Sequence, residues 1–273
     1  MYTAVKNTIK KQAKHSFGQF TILRLPCFIL LPQYMMYYHI HHPIAMPGAL
    51  LDKYLAKGWY RMQQTIFTTD IIIKNDLVIP VFWLRLVLKK YTAAKSVRKI
   101  MQVNKDCQII LTGGAITEEA EALYQLYRSS IDFEVSDTIQ SYLVGESISS
   151  IYNTLCFEIR KDAQLIAVGY FDEGDNSIAG ILNIYHPEHK NRSLGKYLML
   201  LKIDHALTHQ KQYYYPGYIS TAISKFDYKL FPDKEATEVY ISSSKQWVPW
   251  LSVTVEQLEE LLFTEDNDED NDG

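Results

Sequence analysis

Between residues 154 and 186 apolar runs alternate with short polar breaks, in TLCFEIRKDAQLIAVGYFDEGDNSIAGILNIYH. Three strands are predicted, with turns at 161–163 and 173–176, so an antiparallel meander is expected. The period then lengthens. Residues 193 to about 209 predict a helix, followed by a tyrosine-rich strand in QYYYPGYIS and a short helix near AISKFDY. Upstream, TEEAEALYQLYRSSI predicts a helix. Thr117 is its N-cap, Glu118 and Glu119 complement the dipole, and Ala120, Leu123, Tyr124 and Tyr127 form its buried stripe. In MPGALLDKYLAKGWYRM, Ala49, Leu50, Lys53, Tyr54 and Lys57 recur at helical spacing, and Gly58 suits the stop. TDIIIKNDLVIPVFWLRLVL reads as two strands around a turn at 74–76. TVEQLEELLF predicts a last helix with a Thr254–Gln257 capping box.

Composition adds a class. At 273 residues, 47% hydrophobic and 22% charged, the chain reads as an ordinary globular protein. Its net charge of −3 hides an asymmetry, because the last ten residues, TEDNDEDNDG, hold six acids and no base. Without them, 28 bases face 25 acids. Four segments are expected: a basic leader over 1–20 with Lys6, Lys10, Lys11 and Lys14; an N-terminal region over 21–110; a C-terminal domain over 111–263; and a disordered acidic tail over 264–273. FTILRLPCFILLP is broken by Arg24 and two prolines and is too short to span a membrane, so no membrane is expected as a partner. Cys27, Cys107 and Cys156 have no paired spacing. With no cleavable signal in view, this implies a reducing, cytoplasmic location. The HIHHP run at His39, His41 and His42 lacks the spacing of a zinc site, and no metal is expected.

Charge patterning brings in chemistry. Residues 85–105 carry seven bases and no acid. From Thr92 the pattern is helical, with Lys95, Arg98, Lys99 and Gln102 on one face and Val97, Ile100 and Met101 on another. A one-signed face with an apolar back suits a polyanion, although a merely solvated face has the same pattern. In IYHPEHKNRSLGKYLMLLKI a basic, glycine-containing loop joins a strand to a helix. Free N–H groups and the positive dipole end at such a junction favour an anion.

The order of antiparallel strands, basic loop and helix resembles the GNAT acyltransferase fold, whose loop motif is Gln/Arg-x-x-Gly-x-Gly/Ala. Here it is Arg192, Ser193, Leu194, Gly195, Lys196 and Tyr197. The bulky Tyr197 replaces a small residue, which argues against coenzyme A. LIAVGYFD, SIAGILNIYHPEHKNRSLGKYLMLLKI and KQYYYPGYI resemble the aminoacyl-tRNA–protein transferases, the arginyl and leucyl enzymes that mark protein N-termini for degradation. LLDKYLAKGWYRMQQTIF, KSVRKIMQVNKD, LYQLYRSSI and FEIRKDAQLIAVG extend the likeness, in the family's order, over residues 25–235. It implies an α+β, GNAT-like fold with a mixed, mostly antiparallel sheet flanked by helices and a smaller N-terminal region.

The resemblance also implies a reaction. The α-amine of a protein N-terminus attacks the ester carbon of an aminoacyl-tRNA, with no covalent enzyme intermediate. Arginine is the favoured donated residue and leucine the alternative, with acceptors that begin with Asp or Glu. The 192–197 loop would hold the acceptor end of the tRNA, and Lys95, Arg98 and Lys99 its stem. Tyr197, Tyr215 or Tyr218 would stack on the terminal adenine. Glu158 or Asp172 would take the amine proton or pair with an arginyl side chain. Arg61 and Arg160 would receive the acceptor carboxylate. Tyr185 would donate to the ester carbonyl or the leaving oxygen.

Departures from the family pattern leave rivals open. Some members carry an iron–sulfur cluster, which needs about four thiolates. Three scattered cysteines cannot supply them, so no cluster or other cofactor is expected. Pro216 stands where the family often has Leu or Met, and AISKFDYK keeps Lys225, Tyr228 and Lys229 of a Cys-x-Lys-Met-x-Tyr-Lys motif. The rivals are an acetyl-CoA-dependent N-acetyltransferase and a non-catalytic binder of tRNA or N-terminal degradation signals.

Overall fold

The structure is a computed structural model that describes residues 30–31, 34–35, 38–74, 77–132, 135–220 and 222–263. The basic leader, Cys27 and the acidic tail lie outside these residues. Strands β1 (Leu30–Leu31) and β2 (Tyr34–Met35) form a short ribbon. Next come β3 (Tyr38–His41), helix α1 (Gly48–Leu55), β4 (Tyr60–Met62) and β5 (Thr65–Thr69). The three strands make a small antiparallel sheet in the order β3-β5-β4. A hairpin of β6 (Ile71–Lys74) and β7 (Leu77–Pro80) leads to β8 (Phe82–Val87), helix α2 (Lys95–Val103) and β9 (Gln108–Thr112). Helices α3 (Glu118–Ser129) and α4 (Ile139–Leu143) precede the meander of β10 (Thr154–Lys161), β11 (Gln164–Glu173) and β12 (Ser177–Tyr185). Helix α5 (Leu194–Thr208) leads to β13 (Tyr213–Ile219), β14 (Thr237–Ile241), β15 (Gln246–Pro249) and α6 (Val255–Phe263).

Eight strands build the main sheet, in the order β15-β14-β8-β13-β12-β11-β10-β9. Every neighbouring pair is antiparallel except β12 and β13. One face packs on α5 and α2, through Val97, Leu198, Met199 and Ile203 against Ile159, Ile166 and Phe171. The opposite face packs on α3 and α4, through Leu123, Tyr124, Ile139 and Leu143 against Val168, Tyr170 and Ile184. The α+β, mostly antiparallel architecture expected of a GNAT-like fold is therefore present. So are the meander, the Thr117 cap, which accepts from the Ala120 N–H, and the Thr254–Gln257 box.

Local readings differ in places. The segment expected to hold two strands holds β6, β7 and β8. Pro80 has no N–H to extend the hairpin ladder, and the chain passes on to pair with β13 and β14. In α1 the buried seam is Leu51 and Leu55, whereas Ala49 and Lys53 are exposed and Lys57 lies past the helix end. Residue 110, drawn as a boundary, falls within β9, and β8 lies inside the main sheet.

Candidate active site

The site begins where two parallel strands part. β12 and β13 pair only through Ser177–Tyr213, Ile178–Tyr214 and Ala179–Tyr215. Beyond these pairs each strand carries an extra residue. On β12, Ile181 has no partner between Gly180–Phe171 and Leu182–Tyr170. On β13, Tyr215 and Pro216 together oppose Arg85. Such bulges bend a strand and end its pairing, and Pro216 needs no ladder partner for an N–H. Tyrosine hydroxyls cap carbonyls on this part of β12: Tyr60 donates to Gly180 and Tyr142 to Ile181. A Cβ at Gly180 would lie 2.6 Å from the Tyr214 hydroxyl, so only glycine fits there.

The divergence opens into a cleft of about 840 Å³. Its walls come from β4, α3, the 190–196 loop and the 3-10 turn Ser224–Leu230. Eight lining residues are tyrosines, five are Lys or Arg (Arg61, Lys190, Lys196, Lys225 and Lys229), and among the described residues none is Asp, Glu or His. Burial pushes the Tyr60, Tyr142 and Tyr218 hydroxyls above their ordinary pKa. Tyr228 is pushed up to about 12 by burial, with Tyr142 and Tyr185 adding to the shift. At neutral pH these phenols are proton donors, and the cleft favours anionic ligands.

The basic loop forms one wall. Ser193, Leu194, Gly195 and Lys196 all line the cleft. Ser193 is left-handed at φ 54° and no side chain caps the helix it begins, which leaves first-turn N–H groups for a ligand. A Cβ at Gly195 would sit 3.3 Å from the Tyr185 ring, so glycine there lets Tyr185 lie against the loop. Tyr185 lines the cleft and packs edge-on against Tyr127, centroids 5.1 Å apart. Arg192 turns the other way. It donates to Asp106 at 2.8 Å and to the Val103 carbonyl at 3.0 Å, while Asn104 Nδ2 donates to the Arg192 carbonyl at 2.9 Å. Arg192 and Lys161 hold the Asp106 carboxyl well below the usual range. The loop is thus strapped to the end of α2. On that helix Lys95, Ser96, Arg98, Lys99 and Gln102 line one shallow, exposed surface.

Other expected residues lie elsewhere. Asp172 is buried, with Oδ1 accepting from Arg61 at 2.6 Å and Thr154 at 2.7 Å, and Oδ2 has no partner among the described residues. Burial pushes its pKa up, against Arg61 and Thr154. Arg61 borders the cleft but also donates to the Leu143 carbonyl. Glu158 and Arg160 pair with each other at 2.9 Å, Arg160 pairs with Glu119 at 2.6 Å, and none of the three lines the cleft. Tyr197 and Tyr215 are core residues and Tyr218 lines the cleft. The bulk of Tyr197 therefore sits in the core, away from the loop. The sequence reading assigned no role to Lys190, Asn183, Tyr60 or Tyr142, and it placed Tyr127 in a buried stripe, whereas Tyr127 is half-buried and lines the cleft. The tyrosine cluster in YQLY and the retained Lys225, Tyr228 and Lys229 were signals pointing to this region.

Among the described residues, no three His, Cys, Asp or Glu side chains are grouped to hold a metal. Of the described thiols, Cys156 is buried within the sheet and Cys107 lies beside Arg192.

Residues 119–235 match the family model described as arginine-tRNA-protein transferase, C terminus. An aspartate/glutamate leucyltransferase of Leptospira interrogans is 23% identical over 169 residues, covering 60% of this chain and 66% of that protein. Another, from Aeromonas salmonicida, is 27% identical over 151 residues, covering 54% and 62%. The chain thus spans a little under two thirds of the length of these curated relatives. Among solved structures, a GCN5-related N-acetyltransferase from Anabaena variabilis matches with a TM-score of 0.34 and 6% identity, over 86% of this chain and 46% of that one. The resemblance to the aminoacyl-tRNA–protein transferases drawn from the sequence is borne out.

Proposed function

We propose that the chain is an aminoacyl-tRNA–protein transferase acting in the cytoplasm, with leucine as the donated residue and N-terminal Asp or Glu as the acceptor. The observation that carries this reading is the make-up of the cleft, with five Lys or Arg side chains, eight tyrosines and no carboxylate among the described residues. An acidic N-terminus finds countercharge there. A donated arginine would place its guanidinium among like charges with no acid among the described lining residues to pair with, whereas leucine meets aromatic walls. The names of the curated relatives support the same choice.

In this reading the exposed cations of α2 take the phosphates of the acceptor stem, and the loop wall from Ser193 to Lys196 takes the terminal nucleotide. Tyr218 offers a ring for the terminal base. An ester is already activated, so the protein orients the amine and assists the leaving oxygen. Tyr185, against Gly195 on the cleft wall, donates to the ester carbonyl or the leaving ribose oxygen.

The test is a transfer assay with labelled leucyl-tRNA or arginyl-tRNA and peptides beginning with Asp, Glu, Lys or Ala. Label from leucyl-tRNA on the Asp and Glu peptides is the expected result. Label from arginyl-tRNA alone would overturn the donor assignment. No transfer with tRNA binding intact would leave a binding protein, and transfer from acetyl-CoA alone would replace the tRNA reading.

A further inference from the structure

Peptide transfer requires the attacking nitrogen to lose a proton, yet among the described residues no Asp, Glu or His lines the cleft. The buried phenols are held protonated, so the lysines are left to accept it. One of them is set apart by its surroundings. Lys229 reaches from the 3-10 turn Ser224–Leu230 towards β13 and donates to the Tyr218 carbonyl. Its Nζ lies 5.0 Å from the centroid of the Tyr218 ring and 4.7 Å from that of Phe226. No carboxylate pairs with it among the described residues. Gly217, at φ +95°, makes room: a Cβ there would stand 3.3 Å from Nζ and 3.8 Å from the Tyr60 hydroxyl. The bulged strand thus places an amine with no carboxylate partner among the described residues beside a phenol, at the edge of the opening.

Resting on the transfer reading, we infer that Lys229 is the base that takes the proton from the attacking α-amine. As the N–C bond forms and the ester C–O bond breaks, one N–H proton of the neutral amine passes to Nζ. The departing ribose oxygen takes a proton from a cleft phenol, and the Lys229 ammonium restores that phenol, so the protein ends unchanged. The two ring faces receive the charge while it exists.

The titratable groups around Nζ are Lys225 of its own segment, Tyr218 of β13 and, across Gly217, Tyr60 of β4. Burial, helped by Lys225, lowers the Lys229 pKa to about 7. A base is most effective when its pKa lies near the working pH.

The experiment measures single-turnover transfer from pre-bound leucyl-tRNA to an Asp-peptide between pH 5.5 and 9, for the full chain and for Lys229→Met, Lys229→Arg and Lys229→Ala. The unaltered protein is expected to show a rise with a midpoint near 7. Lys229→Met and Lys229→Arg should be slower by about 100-fold or more. Both should keep tRNA affinity and lose that midpoint, leaving only the titration of the acceptor amine near about 7.7–8. Added ethylamine should restore part of the rate of Lys229→Ala. Lys229→Arg retains charge and length, so it reports on the base even where Lys229→Met folds poorly. Variants within about 5-fold of the parent, with the same midpoint, would overturn the assignment while leaving the transfer reading intact. An unaltered protein that transfers from no tRNA would remove both.

Discussion

The guanidinium of Arg61 lies 2.6 Å from the carboxylate of Asp172, and the two side chains keep only 2% and 0% of their exposure. Arg61 comes from β4 and Asp172 from β11, so the pair ties the N-terminal strands to the main sheet. Removing one partner leaves a buried charge. Arg61→Met or Asp172→Asn is expected to lower unfolding free energy by about 3–5 kcal/mol, measured by urea titration. An unchanged midpoint with a raised KM for Asp-peptides would instead place Arg61 at the acceptor.

Lys95, Arg98 and Lys99 stand exposed on one face of α2. If each meets a phosphate of the acceptor stem, changing all three to Ala should flatten the log–log salt dependence of tRNA affinity by about 2–3. Binding measured from 50 to 300 mM salt provides the check. A parallel line displaced by a constant factor would argue against direct phosphate contact.

Arg192 and Asp106 present a choice between contact and strap. Arg192 donates to Asp106 and to the Val103 carbonyl, so it is expected to hold the loop rather than a phosphate. Asp106→Ala should then raise the KM for aminoacyl-tRNA in the same direction as Arg192→Ala, by roughly 10-fold each, since loop placement governs orientation. If Arg192 instead touches phosphate, Asp106→Ala would tighten tRNA binding.

Lys202 is wholly buried on α5, donating at 2.7 Å to the Tyr170 carbonyl and at 2.7 Å to Asn183 Oδ1. Burial lowers its pKa to about 7. The unfolded chain, with lysine near about 10.4, binds the extra proton between these values. Lys202 therefore makes stability rise with pH across about 7–10, by up to about 1.4 kcal/mol per unit, and fall again as the pH drops towards 7. Lys202→Met should lose that slope in urea titrations at pH 7.5, 8.5 and 9.5. A slope equal to the parent's would sink the argument.

Period and punctuation made the meander, α5 and β13 legible. β14 and β15 escaped notice because they are short and take their place from β8, some 150 residues away in sequence. The five residues of α4 are too few to show a period. At the site, charge and glycine pointed to the 192–197 loop, but burial hid the rest. Asp172 read as a candidate proton acceptor, and only the tertiary fold encloses it with Arg61. The orientation of Tyr197 was unreadable because α5 is buried on most sides, so no apolar stripe marks its inner face. Lys229 drew attention through its motif, and its lack of a carboxylate partner among the described residues became visible only with β13 in place.

The extra residue on β12 makes the opening depend on number as much as on kind. A bulge residue has no ladder partner, and its presence is what bends the strand. Ile181→Val should leave transfer within about 3-fold of the parent. Deleting Ile181 with its neighbours unchanged would leave Asn183 against Gly169 and Tyr185 against Ala167 but make the ladder with β11 regular, and so remove the bend that parts β12 from β13. In this stretch, then, a change of length is far more damaging than a change of letter, and sequences that preserve the site are expected to vary at position 181 without ever losing it.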